Sequence, residues 1–167
     1  LILKSYCPRK RLFEKQLAAK SAKTNRPKFH YLYYMVLQNK GVILFDGVCN
    51  LCNGFVQKVI SADKNDYFRF ASLQSNEAKN LLKDHPELVN LKTIIFLEND
   101  EIYTRSTAAL KVSKHLSGIW PFLQTGYIFP VFLRDGIYNF IAKNRYKWFG
   151  KKNQCMVPSS GVKSKFL

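Results

Sequence analysis

The sequence predicts an α/β fold, and three observations carry the prediction. Two short apolar runs, Val42–Phe45 and Thr93–Leu97, read as strands covered on both faces. Stretches with apolar residues at helical spacing alternate with them. Between the first run and the first such stretch lies Cys49-Asn50-Leu51-Cys52, preceded by an Asp46-Gly47 turn, so the first cysteine opens a helix. A helix start presents unpaired N–H groups and a positive dipole end, which stabilise a thiolate. Cys52 lies about one turn further on and within reach of Cys49. A CxxC pair in a strand–turn–helix setting reads as a thiol–disulfide exchange site.

Taken in order, Val42–Phe45 is the first strand, and Phe55, Val56, Val59 and Ile60 repeat at helical spacing behind the cysteines. Phe68-Arg69-Phe70-Ala71 alternates as a strand. Ser75 suits the N-cap of a helix carrying Ala78, Leu81 and Leu82, which should end near His85-Pro86 because a residue before proline resists the helical region. Thr93–Leu97 is the next strand, and Asn99-Asp100 turns it into Ile102-Tyr103-Thr104 as a hairpin. Ser106 or Thr107 is expected to cap a helix running through Leu110 and Leu116. The order β-α-β-α-β-β-α, with CxxC after the first strand, is that of a thioredoxin-like domain without the extra N-terminal elements of that fold. A helical C-terminal extension follows: Leu133, Ile137, Phe140 and Ile141 sit at i, i+4, i+7 and i+8 of an amphipathic helix.

The domain should span residues 35–155. Residues 1–34 are basic, poor in acids and without a settled apolar period, and read as an upstream extension beginning before Met35; an organelle-targeting segment is the rival reading. Residues 156–167 read as a loose basic tail. The stretch from Leu116 to Leu133 is the longest without charge and just reaches the length of a membrane span. Pro121, Pro130, Gly118, Gly126, Gln124 and Thr125 argue instead for two short apolar segments packed on the domain. Basic residues follow at once, which is compatible with peripheral contact with a membrane.

The chain has 167 residues and a net charge of +16, unevenly placed. Residues 1–40 carry ten Lys/Arg against Glu14 alone, residues 41–133 nine basic against nine acidic, and residues 134–167 eight basic against Asp135. The central region is thus neutral, unlike a nucleic-acid binder with its positive stripe on the folded surface, so no nucleic-acid partner is expected. Four cysteines at positions 7, 49, 52 and 155 are too unevenly spaced for a secreted disulfide framework. They point to a reducing compartment, the cytoplasm, with cysteines kept for chemistry.

Each candidate residue also has a plainer reading. Cys49 and Cys52 could form half of a zinc site, but no second CxxC or paired histidine completes four ligands; only Cys155 with His85 or His115 would do so, so no metal is expected. Asp46 before glycine is as readily a turn-former as a proton acceptor near the cysteines. Arg105 is a surface charge or an anion-facing group at a helix start. Arg145, Tyr146, Trp148 and Phe149 read as packing, with arginine stacked on aromatics. Cys155 reads as an idle thiol rather than a third redox partner.

Three motifs in register add a resemblance. Phe45-Asp46-Gly47-Val48-Cys49-Asn50-Leu51-Cys52, then Tyr103-Thr104-Arg105-Ser106, then Arg134-Asp135 with Asn144-Arg145-Tyr146-Lys147-Trp148-Phe149-Gly150 resemble the DCC family of thiol–disulfide oxidoreductases, also called DUF393. The resemblance runs from about residue 36 to Cys155. It implies redox activity at Cys49 and Cys52, with Asp46, Thr93, Arg105 and Ser106 in supporting places. Redox thioredoxins carry a cis-proline before the strand that follows their second helix; here Val89-Asn90-Leu91-Lys92-Thr93 holds none, and Thr93 falls in that place. The expected partner is a thiol or disulfide, on a protein or a small molecule, and no motif implies a metal, flavin or nucleotide cofactor. The rival class is a non-catalytic interaction or membrane-surface module with a structural CxxC. No motif bears on the oligomeric state.

Overall fold

A computed structural model of the chain describes residues 40–89, 93–99, 101–152 and 160–167. Residues 1–34, Cys7 and Cys155 lie outside the described residues. Strand β1 (Gly41–Phe45) leads through the CxxC turn into helix α1 (Asn50–Ala62), followed by β2 (Phe68–Ser72) and α2 (Asn76–Leu81). A single turn α3 (Pro86–Val89), strands β3 (Ile95–Glu98) and β4 (Glu101–Thr104), and helix α4 (Arg105–Lys114) complete the α/β unit. A 3-10 stretch (Trp120–Ile128), the long helix α5 (Val131–Phe149) and a last 3-10 turn (Ser160–Lys165) follow.

The sheet order is β2-β1-β3-β4, with β1 parallel to β2 and antiparallel to β3. That is the thioredoxin-like arrangement the element order predicts. Every residue of β1 is buried, because β1 is an inner strand covered on both faces. On one face Ile43, Phe45, Phe68, Phe70 and Phe96 pack with Val56 and Val59 of α1 and Ala108 and Val112 of α4. Alternation along the strands sends Leu44, Ala71 and Ile95, all buried, to the other face.

Gly41 shows how tight the first face is. A Cβ built there would stand 2.5 Å from Cε2 of Phe96 and 2.8 Å from Cε1 of Tyr67. Phe96 is fully buried and has nowhere to retreat. Gly41→Ala is therefore expected to lower stability by about 1–3 kcal/mol in urea unfolding; an unchanged midpoint would contradict this packing.

Local signals behave as read at several ends. The Ser75 hydroxyl accepts from Ala78 N–H and caps α2 as read, but the helix stops at Leu81, short of the expected end near His85-Pro86, and Pro86 instead opens α3. Asn99 adopts a left-handed φ of 50° in the β3–β4 hairpin, a conformation asparagine tolerates. The cap of α4 differs, and the helix ends at Lys114, short of Leu116. Its N-cap is Thr104, with no side-chain cap hydrogen bond, and neither Ser106 nor Thr107 holds that position. The Ser106 hydroxyl is turned instead to Asp135 of α5, 2.5 Å away.

The chain end is also not loose. Leu167 N–H donates to Phe70 O, the Phe166 ring packs against Phe45 and Phe70, and Lys165 reaches Asp63 and Asp66. Asp63, buried at the end of α1, in turn accepts from Tyr67 and Phe68 N–H, so one carboxylate joins α1, β2 and the C-terminus.

The expected packing of 116–133 on the domain is seen: Leu116 is buried, Trp120 leans on the core, and the 3-10 stretch lies along α4, with Gly126 so close that a Cβ there would stand 3.2 Å from Leu110 Cδ2. The polar Gln124 faces inward and donates to Ser113 Oγ at 2.8 Å, while Phe122, Ile128 and Phe129 point outward. Helix α5 covers the predicted stretch, but the apolar residues expected on its inner face lie outside. Leu133, Ile137, Phe140 and Ile141 are exposed, and Asp135, Tyr138 and Arg145 face the domain. Among the described residues no helix is long and apolar enough to cross a membrane.

Candidate active site at the CxxC turn

Cys49 is the N-cap of α1, in extended backbone, and its sulfur accepts the Cys52 N–H at 3.4 Å. The turn before it is closed by Asp46, whose carbonyl accepts Cys49 N–H at 3.2 Å and whose Oδ1 accepts Val48 N–H. Asn53, one turn into the helix and buried, donates to Gly47 O. Gln74, after β2, bridges the same turn: its Oε1 accepts Gly47 N–H and its Nε2 donates to Asp46 Oδ1 at 3.0 Å. The CxxC loop is thereby held from both neighbouring elements. Cys49 and Cys52 are both thiols and both buried.

The relative depth of the two cysteines differs from the simple helix-start picture, which puts Cys52 deeper. Cys49 has no exposed surface and Cys52 retains 6%. The segment after α5 lies across the loop: Lys151 pairs with Cys49, Lys152 N–H donates to Val48 O at 2.8 Å, and Asn50 Nδ2 donates to Phe149 O at 2.8 Å. Gly150 makes that path with φ 78° and sits so close that a Cβ would meet Asn50 Nδ2 at 3.2 Å.

Asp46 carries more than a turn. Its buried carboxylate meets Arg145 Nη2 at 2.5 Å and accepts the Tyr146 hydroxyl, while Arg145 also donates to Tyr146 at 3.1 Å. Burial alone would push the Asp46 carboxyl up. Hydrogen bonds from Tyr146, Gln74 and Val48, with the Arg145 charge, outweigh that and hold it below the ordinary range. The Asp46 carboxylate thus closes the turn and pairs with a buried cation at once. The packing reading of the 145–149 cluster holds for Arg145, stacked over the Tyr146 ring at 4.8 Å, and for Tyr146 against the core, but the arginine does more. Arg145, 2% exposed, is a buried ion-pair partner whose charge acts on both cysteines; Trp148 and Phe149 are half exposed. Burial, the hydrogen bond with Cys49 and the proximity of that thiol push the Cys52 thiol up, with Arg145 opposing.

The other supporting candidates also find partners on α5. Thr93, buried just before β3, donates to the Tyr138 hydroxyl at 2.9 Å, and Ile94 N–H donates to the same oxygen at 3.1 Å. Ser106 and Arg105 both meet Asp135, the arginine at 3.7 Å. Arg105 has a left-handed φ of 52°, a strained conformation for a residue with a Cβ, at the sharp passage from β4 into α4. Asp135, Tyr138 and Arg145 occupy one face of α5, and each engages a different candidate. Sequence reasoning missed Tyr138, Gln74 and Asn53, and misweighed Arg145. A buried acid beside the CxxC requires a cation, and that requirement was the available signal. Among the described residues no group of three or more His, Cys, Asp or Glu is placed to hold a metal ion.

A CxxC at the first helix of this sheet defines the class: thioredoxin-like proteins built around a thiol pair. The family model described as DCC1-like thiol-disulfide oxidoreductase matches residues 43–151, and the chain belongs to that family. It is 50% identical over 127 residues to the Bacillus subtilis (strain 168) protein called Uncharacterized protein YuxK, spanning 75% of this chain and 93% of that one. It is 40% identical over 118 residues to the Arabidopsis thaliana DCC family protein At1g52590, chloroplastic, spanning 68% of this chain and 67% of that one. No solved structure matches the chain.

Proposed function

We propose that the protein exchanges disulfides through Cys49 and Cys52, with Cys49 as the attacking thiol and Cys52 as the resolving one. The observation that carries this reading is the capping geometry. The Cys49 sulfur accepts an N–H at the positive end of α1 and lies within range of the Arg145 charge, a setting suited to the attacking sulfur. The Cys52 thiol, pushed up, keeps its proton longer. Cys49 thiolate attacks one sulfur of a partner disulfide; the S–S bond breaks, the departing sulfur leaves as thiolate and takes a proton. Cys52 then loses its proton and attacks Cys49 in the mixed disulfide, releasing the second partner thiol and closing Cys49–Cys52. Two electrons pass from the pair to the partner, and the same steps reversed oxidise a partner dithiol. Asp46, through Arg145, positions the cation; Thr93, Arg105 and Ser106 position α5, which carries it.

Because Cys49 is wholly covered, attack on a protein disulfide requires the Phe149–Lys152 segment to give way, whereas a small thiol needs a smaller opening. The uneven spacing of the four cysteines supports a reducing compartment such as the cytoplasm. The test is thiol titration of the folded protein before and after a dithiol reductant. Two thiols that appear and disappear together, at 49 and 52, fit the proposal. Thiols that stay inert in the native state would leave the CxxC a structural element of an interaction module.

A further inference from the structure

Among the described residues fourteen large hydrophobic side chains are exposed, and all lie between Ile119 and Phe149. Ile128 is 81% exposed and Phe132 79%. Phe132, Leu133, Gly136, Ile137 and Phe140 line an open cleft of about 360 Å³ along the outer face of α5. Apolar surface gathered in this way marks an interaction site rather than ordinary surface scatter.

The charges around it say what it meets. From Leu116 to the C-terminus the sequence has eight basic residues and a single acid, Asp135. Asp135 is already engaged by Ser106 and Arg105. Lys143 and Lys147 are exposed on α5 at i+3 and i+7 from Phe140, on the same side of the helix, and Lys151 and Lys152 are exposed just beyond its end. Trp148, half exposed, makes an edge contact with the Phe140 ring at 5.5 Å. An apolar face flanked by lysines, with an aromatic at its border, matches the layered chemistry of an anionic bilayer: acyl chains, interface, phosphates.

We propose that this face, α5 with the preceding 120–128 turn, docks on an anionic lipid bilayer without crossing it. A second copy fits less well. An isologous contact would bring lysine-rich faces together with no exposed carboxylate on that stretch to pair them. The opposite face of α5 carries Arg145, so docking would hold the CxxC about 10 Å, one helix diameter, from the headgroups.

Flotation of the full chain with vesicles of phosphatidylcholine, with or without phosphatidylglycerol, tests this. The basic residues 1–40 would draw the chain to anionic lipid by charge alone, so the decisive variant keeps every charge: Phe132→Ser/Ile137→Ser/Phe140→Ser. The wild type should float with the anionic vesicles only, with a blue shift of tryptophan emission, and the variant should partition about tenfold less or weaker still. The replaced side chains are exposed, so its far-UV spectrum and unfolding midpoint should match the wild type. Were it to misfold, Lys143→Gln/Lys147→Gln provides the second arm and should weaken binding and its salt dependence. Equal binding of the triple variant, no binding of the wild type, or a wild-type dimer that the triple variant dissociates without any lipid affinity would each overturn the proposal.

Discussion

Cys52→Ser is expected to accumulate a mixed disulfide between Cys49 and its partner, while Cys49→Ser accumulates none and loses exchange by roughly a thousandfold or more. The asymmetry follows from the helix start. The Cys49 sulfur caps α1 and sits where the dipole and the free N–H groups act most strongly, an effect that fades within the first turn. Burial and its neighbour keep the Cys52 thiol protonated well above neutral pH. In the reduced protein, alkylation below neutral pH should therefore mark Cys49 before Cys52, and the Cys52 reaction should rise only at alkaline pH. Non-reducing electrophoresis with mass spectrometry of the trapped species reads both. Equal trapping by the two variants, or earlier labelling of Cys52, would reverse the roles. The slight excess of exposure at Cys52 gives that reversal a concrete basis, so the experiment discriminates between access and electrostatics.

The part of this site that is legible in the sequence is the part made by neighbours. A buried run, an Asp-Gly turn and two cysteines one helical turn apart are local signals, and each states its geometry within a few residues. The same holds for the Ser75 cap and the Asn99 hairpin. What is not legible depends on α5. The cation that balances Asp46 comes from 99 residues further along the chain, and Tyr138 reaches Thr93 across 45. Apolar periodicity fails here for a physical reason. Leu133, Ile137, Phe140 and Ile141 mark the face of α5 that a soluble monomer would bury, yet the inner face is the one with Asp135, Tyr138 and Arg145. Those polar groups have their partners inside the domain, and their hydrogen bonds, not apolar burial, set the rotation of the helix. A helix whose apolar stripe serves an external surface has the same sequence period as one whose stripe serves a core.

Arg145→Met should destabilise the fold by about 3–5 kcal/mol, because it leaves the Asp46 carboxylate buried without its cation. Arg145 and Asp46 are both nearly sealed from solvent, so the loss is not softened by water as it would be at the surface. Asp46→Asn with Arg145→Met together should be less harmful than the sum of the singles, since the stranded charge is then absent. The pH dependence has a definite sign. The Asp46 carboxyl is held below its ordinary value in the folded protein, so its contribution is present above the unfolded-state value, about 3.9, and is lost as pH falls through the lower folded value. Wild-type stability should thus decline below about pH 4 more steeply than that of Asp46→Asn. A purely structural role would stop there. If Arg145 also assists attack by the Cys49 sulfur, the rate of Cys49 alkylation at neutral pH must fall in the double variant, which is spared the stranded charge, and recover toward wild type in Arg145→Lys, which keeps the cation. A Cys49 alkylation rate that is unchanged across all three would confine Arg145 to holding α5 against the CxxC turn.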